Sequence, residues 1–220
     1  MEQRAQTVLR ILHQKLRLPT WAKSYRDPFV TLVVTILSQN TADRNIARAF
    51  EALSKRFEIT PEALAKAEPS QIENVIKVSG LYKSKAKAVR QAANIVLEKY
   101  RGTLQHLISL PLEEARNALL EFPGVGPKTA DVVLLFSANQ PTIPVDTHVD
   151  RVAKRLGFAP ADGAYEAVRQ SLQSLYEPSD YLMVHLLLIA HGRRYCRARH
   201  PRCAECPIST HCPSKELFQR

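Results

Sequence analysis

The chain has 220 residues, and its 31 lysines and arginines outnumber its 21 aspartates and glutamates, which gives a formal net charge of +10. This length allows one large domain or two small ones with ample core. The positive charge favours a polyanionic partner, either nucleic acid or an anionic membrane surface. A membrane partner is disfavoured, because no apolar run approaches the roughly 18 residues of a spanning helix.

The N-terminal residues Met1-Glu2-Gln3-Arg4 lack the charged-then-apolar layout of a signal peptide. We therefore expect a cytoplasmic protein, associated with the nucleoid if the source is a prokaryote. In that reducing compartment, cysteines serve more often as metal ligands than as disulfide partners.

The hydrophobic period is helical along nearly the whole chain, and no stretch alternates with period two for long enough to predict a strand. Asp27 as an N-cap and Pro28 at the first helical position open the first apolar face. Breakers such as Thr60-Pro61 and Gly80 keep the helices short. We therefore predict an all-α fold. The apolar faces are Phe29, Leu32, Val33, Ile36 and Leu37; Ile46, Phe50, Leu53 and Phe57; Ala86, Val89, Ala93, Val96 and Leu97; Leu112, Ala115 and Leu119; Val168, Leu172 and Leu175; and Leu182, Leu186 and Ile189.

A tight turn is predicted after the helix Leu112–Leu120, and Pro127 is a natural start for the next helix. Glycines in this turn permit backbone conformations and a close approach that a Cβ atom would forbid. The successive amides of Gly124, Val125 and Gly126, continued by the N–H groups of a helix start, predict an anion nest for a phosphate. An ordinary helix-to-helix turn has the same spacing, and the excess positive charge favours phosphate binding.

Lys128 lies in the first turn of the helix that starts at Pro127. The helix dipole disfavours an ammonium ion at this end, so the position predicts a lowered pKa. A neutral amine can attack a carbon electrophile. A solvated lysine that contacts phosphate is the alternative interpretation.

Asp146 lies where an apolar segment gives way to a new helix, in Pro144-Val145-Asp146-Thr147-His148. Either Asp146 is the N-cap, or Thr147 and Asp150 form a capping box. A carboxylate at a helix start is usually structural, and it becomes catalytic only if the fold places it beside Lys128. His148 is interpreted as structural.

The four cysteines of the chain all lie in its C-terminal tail, with the spacing Cys196-x6-Cys203-x2-Cys206-x5-Cys212. Clustered thiolates of this kind hold either zinc or an iron–sulfur cluster. Zinc ribbons usually present two Cys-x2-Cys pairs, and only one occurs here. The wider outer spacings favour a cubane cluster, whose irons need ligands from several directions.

Several arginines accompany the first of these cysteines. We expect them to contact phosphates of a nucleic acid from a loop that the cluster holds, with a solvated basic face as the alternative. The arginines are Arg193, Arg194, Arg197, Arg199 and Arg202.

The hairpin with its lysine, the Val-Asp-Thr-His segment and the cysteine tail occur in an order that resembles the endonuclease III family of helix-hairpin-helix DNA glycosylases. The resemblance covers essentially the whole chain. It implies two α-helical domains with a DNA-binding cleft between them. One is a six-helix domain, residues 22–140, with the helix-hairpin-helix. The other combines residues 1–21 and 141–220 and holds a [4Fe–4S] cluster on the four cysteines.

The same resemblance implies an enzyme that removes oxidised pyrimidines from damaged double-stranded DNA and cleaves the strand by β-elimination. Lys128 would be the Schiff-base nucleophile and Asp146 the carboxylate that assists it. We expect the protein to act as a monomer, without a membrane partner.

The family inserts wedge residues into DNA from two loops, which match Gln39 and Asn40 in the first loop and Leu81 in the second. In the common bacterial pattern the glutamine aligns one residue later, so Gln39 and Asn40 compete for the role. Pro127 stands where an arginine is common, which removes one positive charge beside Lys128.

Three other functions are weighed against this one. Adenine glycosylases of the superfamily lack the lysine and carry a glutamate in the helix before the first wedge, whereas Phe29–Leu37 contains no acid. Mismatch uracil or thymine glycosylases tend to have tyrosine at the lysine position, and they are disfavoured less strongly. A non-catalytic iron–sulfur module that binds DNA or transfers electrons is the alternative from a different class.

Overall fold

The computed structural model describes residues 1–18 and 27–218, and these residues form helices and loops without any β-strand. The predicted all-α fold is confirmed. Within the described ranges, no helix is long and apolar enough to cross a lipid bilayer. The α-helices are α1 (Glu2–Lys15), α2 (Pro28–Ser38), α3 (Asp43–Arg56), α4 (Pro61–Lys66), α5 (Pro69–Ile76), α6 (Tyr82–Tyr100), α7 (Gln105–Ile108), α8 (Leu112–Leu120), α9 (Pro127–Ala138), α10 (Thr147–Arg155), α11 (Tyr165–Gln173) and α12 (Tyr181–Arg194).

The chain divides into two compact units. The hairpin unit is the continuous segment Lys23–Gln140, and the cysteine unit combines Met1–Ala22 with Pro141–Arg220. The domain boundary expected between residues 21 and 22 lies outside the described residues.

Helix α2 is the central helix of the hairpin unit. It begins as predicted, because the side chain of Asp27 accepts a hydrogen bond from the amide of Val30 at 2.9 Å and Pro28 occupies the first turn. Most of its residues are buried, and it packs chiefly against α9. The hydroxyl of Ser137 on α9 donates to that of Thr31 at 2.8 Å, which adds a polar tie to this contact.

A buried ion pair joins the two helices of the hairpin. Arg116 on α8 donates from Nε to Oδ1 of Asp131 on α9 at 2.9 Å, and the Asp131 side chain is fully buried. Two charges removed from water in this way are stable only as a pair. The pair therefore fixes how α8 and α9 face each other.

Helix α12 differs from its sequence prediction. The predicted face was Leu182, Leu186 and Ile189, but only Leu186 of these is buried, while Val184 and Leu187 are fully buried. The reason is that α12 packs against both α1 and α10, so it buries two sides of its surface instead of one stripe.

Helix α1 is tied to two distant parts of the cysteine unit by Arg4. Its guanidinium donates to the carbonyl of Leu156 at 2.8 Å and to that of His211 at 3.2 Å. The same group lies 4.9 Å from the ring centroid of Phe158. One side chain of α1 thus holds the end of α10 and the cysteine tail.

Replacing Asp131 by alanine should lower the free energy of unfolding by about 3–5 kcal/mol. The reason is that the buried guanidinium of Arg116 loses its buried partner and keeps the exposed carboxylate of Glu113, which lies 3.8 Å away. Urea denaturation followed by circular dichroism measures this loss. Glu51→Ala is the control, since it removes an exposed carboxylate that pairs with Lys55 at 2.6 Å, and it should leave the midpoint unchanged. Equal midpoints for the two variants would contradict the prediction.

Candidate functional site

The hairpin turn between α8 and α9 has the tight geometry that the sequence predicts. The amide of Val125 donates to the carbonyl of Phe122 at 3.0 Å, and Gly126 is the N-cap of α9. Gly124 has a φ of +78°, and a Cβ atom added there would lie 3.3 Å from the Cβ of Ala88. The backbone conformation and the close contact at position 124 therefore both favour glycine.

Position 126 does not need a glycine, which corrects the interpretation that both glycines of the turn are needed. Its φ is −102° with ψ of 179°, an extended conformation that any residue adopts, and an added Cβ would meet no atom within 4 Å. The space in front of Gly126 is open.

Only two of the three amides of the expected anion nest are available to a ligand. The amide of Val125 is used inside the turn by Phe122. Among the described residues, the amides of Gly124 and Gly126 donate to no backbone or side-chain acceptor. These two amides can therefore donate to an anion at the start of α9.

The two residues expected to carry out the chemistry each lie at the start of a helix. Lys128 is the second residue of α9 and is half-buried. Asp146 is the N-cap of α10, and its Oδ1 accepts hydrogen bonds from the amides of His148 and Val149, both at 2.8 Å. The capping-box alternative with Thr147 is wrong, and the two amides hold the Asp146 carboxylate in one orientation.

Lys128 belongs to the hairpin unit and Asp146 to the cysteine unit. The expected pairing of the two side chains, one from each unit, stays a prediction.

The two residues that compete as the first wedge have different environments. Gln39 is half-buried, and its Nε2 donates to the carbonyl of Gly124 at 2.8 Å, so its side chain is bound to the hairpin turn. Asn40 is exposed and has a φ of +52°. Asn40 is therefore the more exposed of the two residues, and the side chain of Gln39 is held by the hairpin turn.

Leu81 shares both properties with Asn40. Its φ is +47°, a left-handed conformation that is strained for a leucine, and its side chain is 62% exposed. A strained backbone that exposes a large apolar side chain is typical of a functional position rather than of a packing position.

All four cysteines line one cavity in the tail after α12. Within the described residues, no three His, Cys, Asp or Glu side chains lie close enough together to hold a single metal ion.

Two side chains that the sequence did not single out contact these thiols. Nη1 of Arg155 lies 3.4 Å from Sγ of Cys196, and Nε2 of His191 lies 3.7 Å from Sγ of Cys206. Burial raises the pKa of the Cys206 thiol to about 11, and burial lowers the pKa of His191 to about 4. Both shifts have the same cause, because removal from water disfavours the charged form of either group.

Arg155 also organises the loop of the expected phosphate contacts. It donates to the carbonyl of Arg197 at 2.7 Å and to that of Ala198 at 3.1 Å. A basic residue in the last turn of a helix is commonly explained by the helix dipole alone, so these long-range contacts could not be predicted from the sequence.

The structure corrects part of the prediction that the five arginines form one basic face. Arg193, Arg197 and Arg199 are exposed. Arg202 instead forms an ion pair with Glu205 at 2.6 Å, so it is not part of an uninterrupted basic face.

The chain matches the HhH-GPD superfamily of base excision DNA repair proteins over residues 33–178. It is 37% identical to an endonuclease III of Sulfolobus acidocaldarius over 188 residues, which are 85% of this chain and 82% of that protein. Its structure is similar to a trapped endonuclease III–DNA covalent intermediate, with a TM-score of 0.87 and 29% identity over 100% of this chain and 99% of the other. A thermostable thymine-DNA glycosylase shares the fold, with a TM-score of 0.79 and 24% identity over 96% of this chain and 94% of the other.

The two glycines of the turn should respond differently to alanine. Gly124→Ala should lower the free energy of unfolding by about 1–2 kcal/mol, because it places a Cβ atom in the left-handed region. Gly126→Ala is the matched control and should leave stability unchanged or slightly raised, since its backbone conformation suits alanine. Urea denaturation of both variants tests this difference, and equal destabilisation would contradict it.

Proposed function

Because the chain belongs to the endonuclease III family of the HhH-GPD superfamily, we propose that it is a bifunctional DNA glycosylase and AP lyase of base excision repair. Its substrates are oxidised pyrimidines in damaged double-stranded DNA. The observation that carries this proposal is Lys128 at the start of α9, directly after a turn with two available amides. In a prokaryote this substrate lies in the cytoplasm, on the chromosome.

Phosphate binding positions the DNA in this proposal. The amides of Gly124 and Gly126 and the positive end of α9 hold one phosphate of the strand to be repaired. The exposed side chains of Arg193, Arg197 and Arg199 contact further phosphates. The hairpin unit is the helix-hairpin-helix domain of this proposal, and the cysteine unit is the cluster domain.

Lys128 carries the covalent chemistry. Its neutral Nζ attacks C1′ of the damaged nucleotide and displaces the base, which leaves with the electrons of the glycosidic bond. The resulting amine loses a proton and opens the sugar ring to give an imine. The imine acidifies a proton on C2′, and loss of that proton expels the phosphate at C3′.

Asp146 assists through charge. The transition state for base departure places positive charge on the sugar, and a fixed carboxylate stabilises such charge more than water does. The hydrogen bonds from the His148 and Val149 amides keep the Asp146 carboxylate oriented.

Asn40 and Leu81 fill the space that the extruded nucleotide leaves in the stack. Both side chains are exposed on short loops of the hairpin unit. Gln39 serves instead to tie the first of these loops to the hairpin turn through Gly124.

We further propose that Cys196, Cys203, Cys206 and Cys212 hold a [4Fe–4S] cluster. The donor set, the shared cavity and the contact of Arg155 with the Cys196 thiol support it. When bound, the cluster cross-links the tail. Arg155 binds the carbonyls of Arg197 and Ala198, so it adds a second support to the loop of the proposed phosphate contacts.

Lys128→Gln should abolish borohydride trapping and strand cleavage on a duplex with an oxidised pyrimidine, because no amine remains to form the imine. Asp146→Asn should slow base release by roughly 10²- to 10³-fold while lesion binding persists. Lys55→Gln is the control. Lys55 is an exposed lysine of the hairpin unit, to which Lys128 also belongs, and this variant should form the trapped adduct like the unmodified protein.

Thermal unfolding of each variant establishes that it is folded. A folded Lys128→Gln protein that still forms the covalent adduct would show that another amine is the nucleophile. An unmodified protein that binds the duplex but forms no adduct would identify a non-catalytic DNA-binding module.

Protein purified without oxygen should be yellow-brown and contain iron and sulfide in near-equal amounts. Cys203→Ser should lose most of this iron and weaken DNA binding, while Ser209→Ala, which changes a cavity side chain without a thiol, should retain it. Metal and sulfide analysis provides the measurement. Stoichiometric zinc without sulfide would rule out the cluster.

A further inference from the structure

Lys85 on α6 is a buried lysine, with 3% of the residue exposed. Lysines are almost never this buried unless each hydrogen of the ammonium group has a partner. Here Nζ donates to the carbonyl of Leu37 at 2.8 Å, to the hydroxyl of Thr41 at 2.6 Å and to the carbonyl of Ser79 at 2.7 Å. An ammonium group has three hydrogens, and all three are matched.

The three acceptors lie on the two segments that carry the proposed wedge residues. Leu37 is in the last turn of α2, and Thr41 lies in the loop that follows, which we call the first wedge loop (residues 39–42). Ser79 directly precedes the second wedge loop (residues 80–81). The ammonium of Lys85 therefore joins both loops at one point.

Thr41 reinforces this junction. Its hydroxyl accepts from Lys85 and lies within hydrogen-bond distance of the carbonyl of Ser79 and, at 3.0 Å, of the carbonyl of Gln39. A hydroxyl has one hydrogen, so it donates to one of these two carbonyls at a time. Either choice keeps the first wedge loop attached to the same group of atoms.

A lysine suits this junction for electrostatic reasons. The carbonyls of Leu37 and Ser79 lie at the C-terminal ends of helical turns, where carbonyl groups lack helical partners and carry partial negative charge. A cation that donates three hydrogen bonds satisfies them together. Burial lowers the pKa of Lys85. The hydrogen bonds to the three oxygens offset part of the free energy that is lost when the ammonium group leaves water.

We propose that Lys85 is a positioning residue that holds Asn40 and Leu81 in their left-handed conformations and in register, as the two halves of one wedge. Lys85 touches no substrate. Its effect is on extrusion of the nucleotide from the duplex and not on the chemistry of Lys128. This inference rests on the proposed function.

The test compares Lys85→Met with Lys87→Met. Methionine fills the volume of the lysine stem but donates no hydrogen bond. Lys87 is exposed on the same helix, so its replacement removes the same charge without touching the junction. Both variants are assayed for strand cleavage at an abasic site, under single-turnover conditions with saturating protein, in a duplex and in the same strand left unpaired.

Lys85→Met should slow cleavage of the duplex by roughly 10- to 100-fold, since a misplacement of about 1 Å has effects of this size. Cleavage of the unpaired strand should stay within about twofold of the unmodified rate, because no stack must be opened. Lys87→Met should preserve both rates. A 2-aminopurine base placed opposite the abasic site should show a smaller fluorescence change on binding Lys85→Met than on binding Lys87→Met.

Equal loss on the two substrates, or no loss on the duplex, would overturn the positioning role. If Lys85→Met does not fold, Thr41→Val removes the hydroxyl of the junction while the ammonium remains, and it should show a smaller loss confined to the duplex. Unmodified protein that cleaves neither substrate would overturn the proposed function itself, and the inference with it.

Discussion

The ion pair between Arg116 and Asp131 is the interaction on which the arrangement of the hairpin unit depends. It fixes α8 against α9, and the turn between them is too short to absorb a change in that packing. Gly124 in this turn accepts the hydrogen bond from Gln39, which begins the first wedge loop. That loop is joined to the second through Lys85. One continuous set of polar contacts therefore runs from the hairpin to both wedge loops.

Buried apolar side chains and polar side chains stabilise different parts of this protein. Buried aliphatic side chains hold the helices together but do not define loop conformations, because their packing has no direction. The loops are held by cations that donate to main-chain carbonyl oxygens. Buried Lys85 does this in the hairpin unit. Half-buried Arg155 does it in the cysteine unit, where it binds the carbonyls of Arg197 and Ala198. Both cations thus connect segments that are distant in the chain.

The features that could be predicted from the sequence are those whose cause is local. The N-cap at Asp27 and the prolines that start helices act within one turn, and both were correct. The features that were missed depend on distant partners. Lys85 lies among the apolar positions of α6, spaced with Val89 and Val96, and a lysine there signals burial only once the acceptors are known. The two buried sides of α12 likewise follow from the helices that pack on it.

The contacts of Arg4 have a consequence for synthesis on the ribosome. Its hydrogen bond to His211 joins residues 207 positions apart, so α1 leaves the ribosome long before its partners exist. At roughly 5–20 residues per second, that delay is about 10–40 s. The hairpin unit is one continuous segment and can fold during this interval, whereas the cysteine unit needs the cysteine tail as well as α1. During synthesis, α1 is therefore an amphipathic segment that has to wait for the cysteine tail.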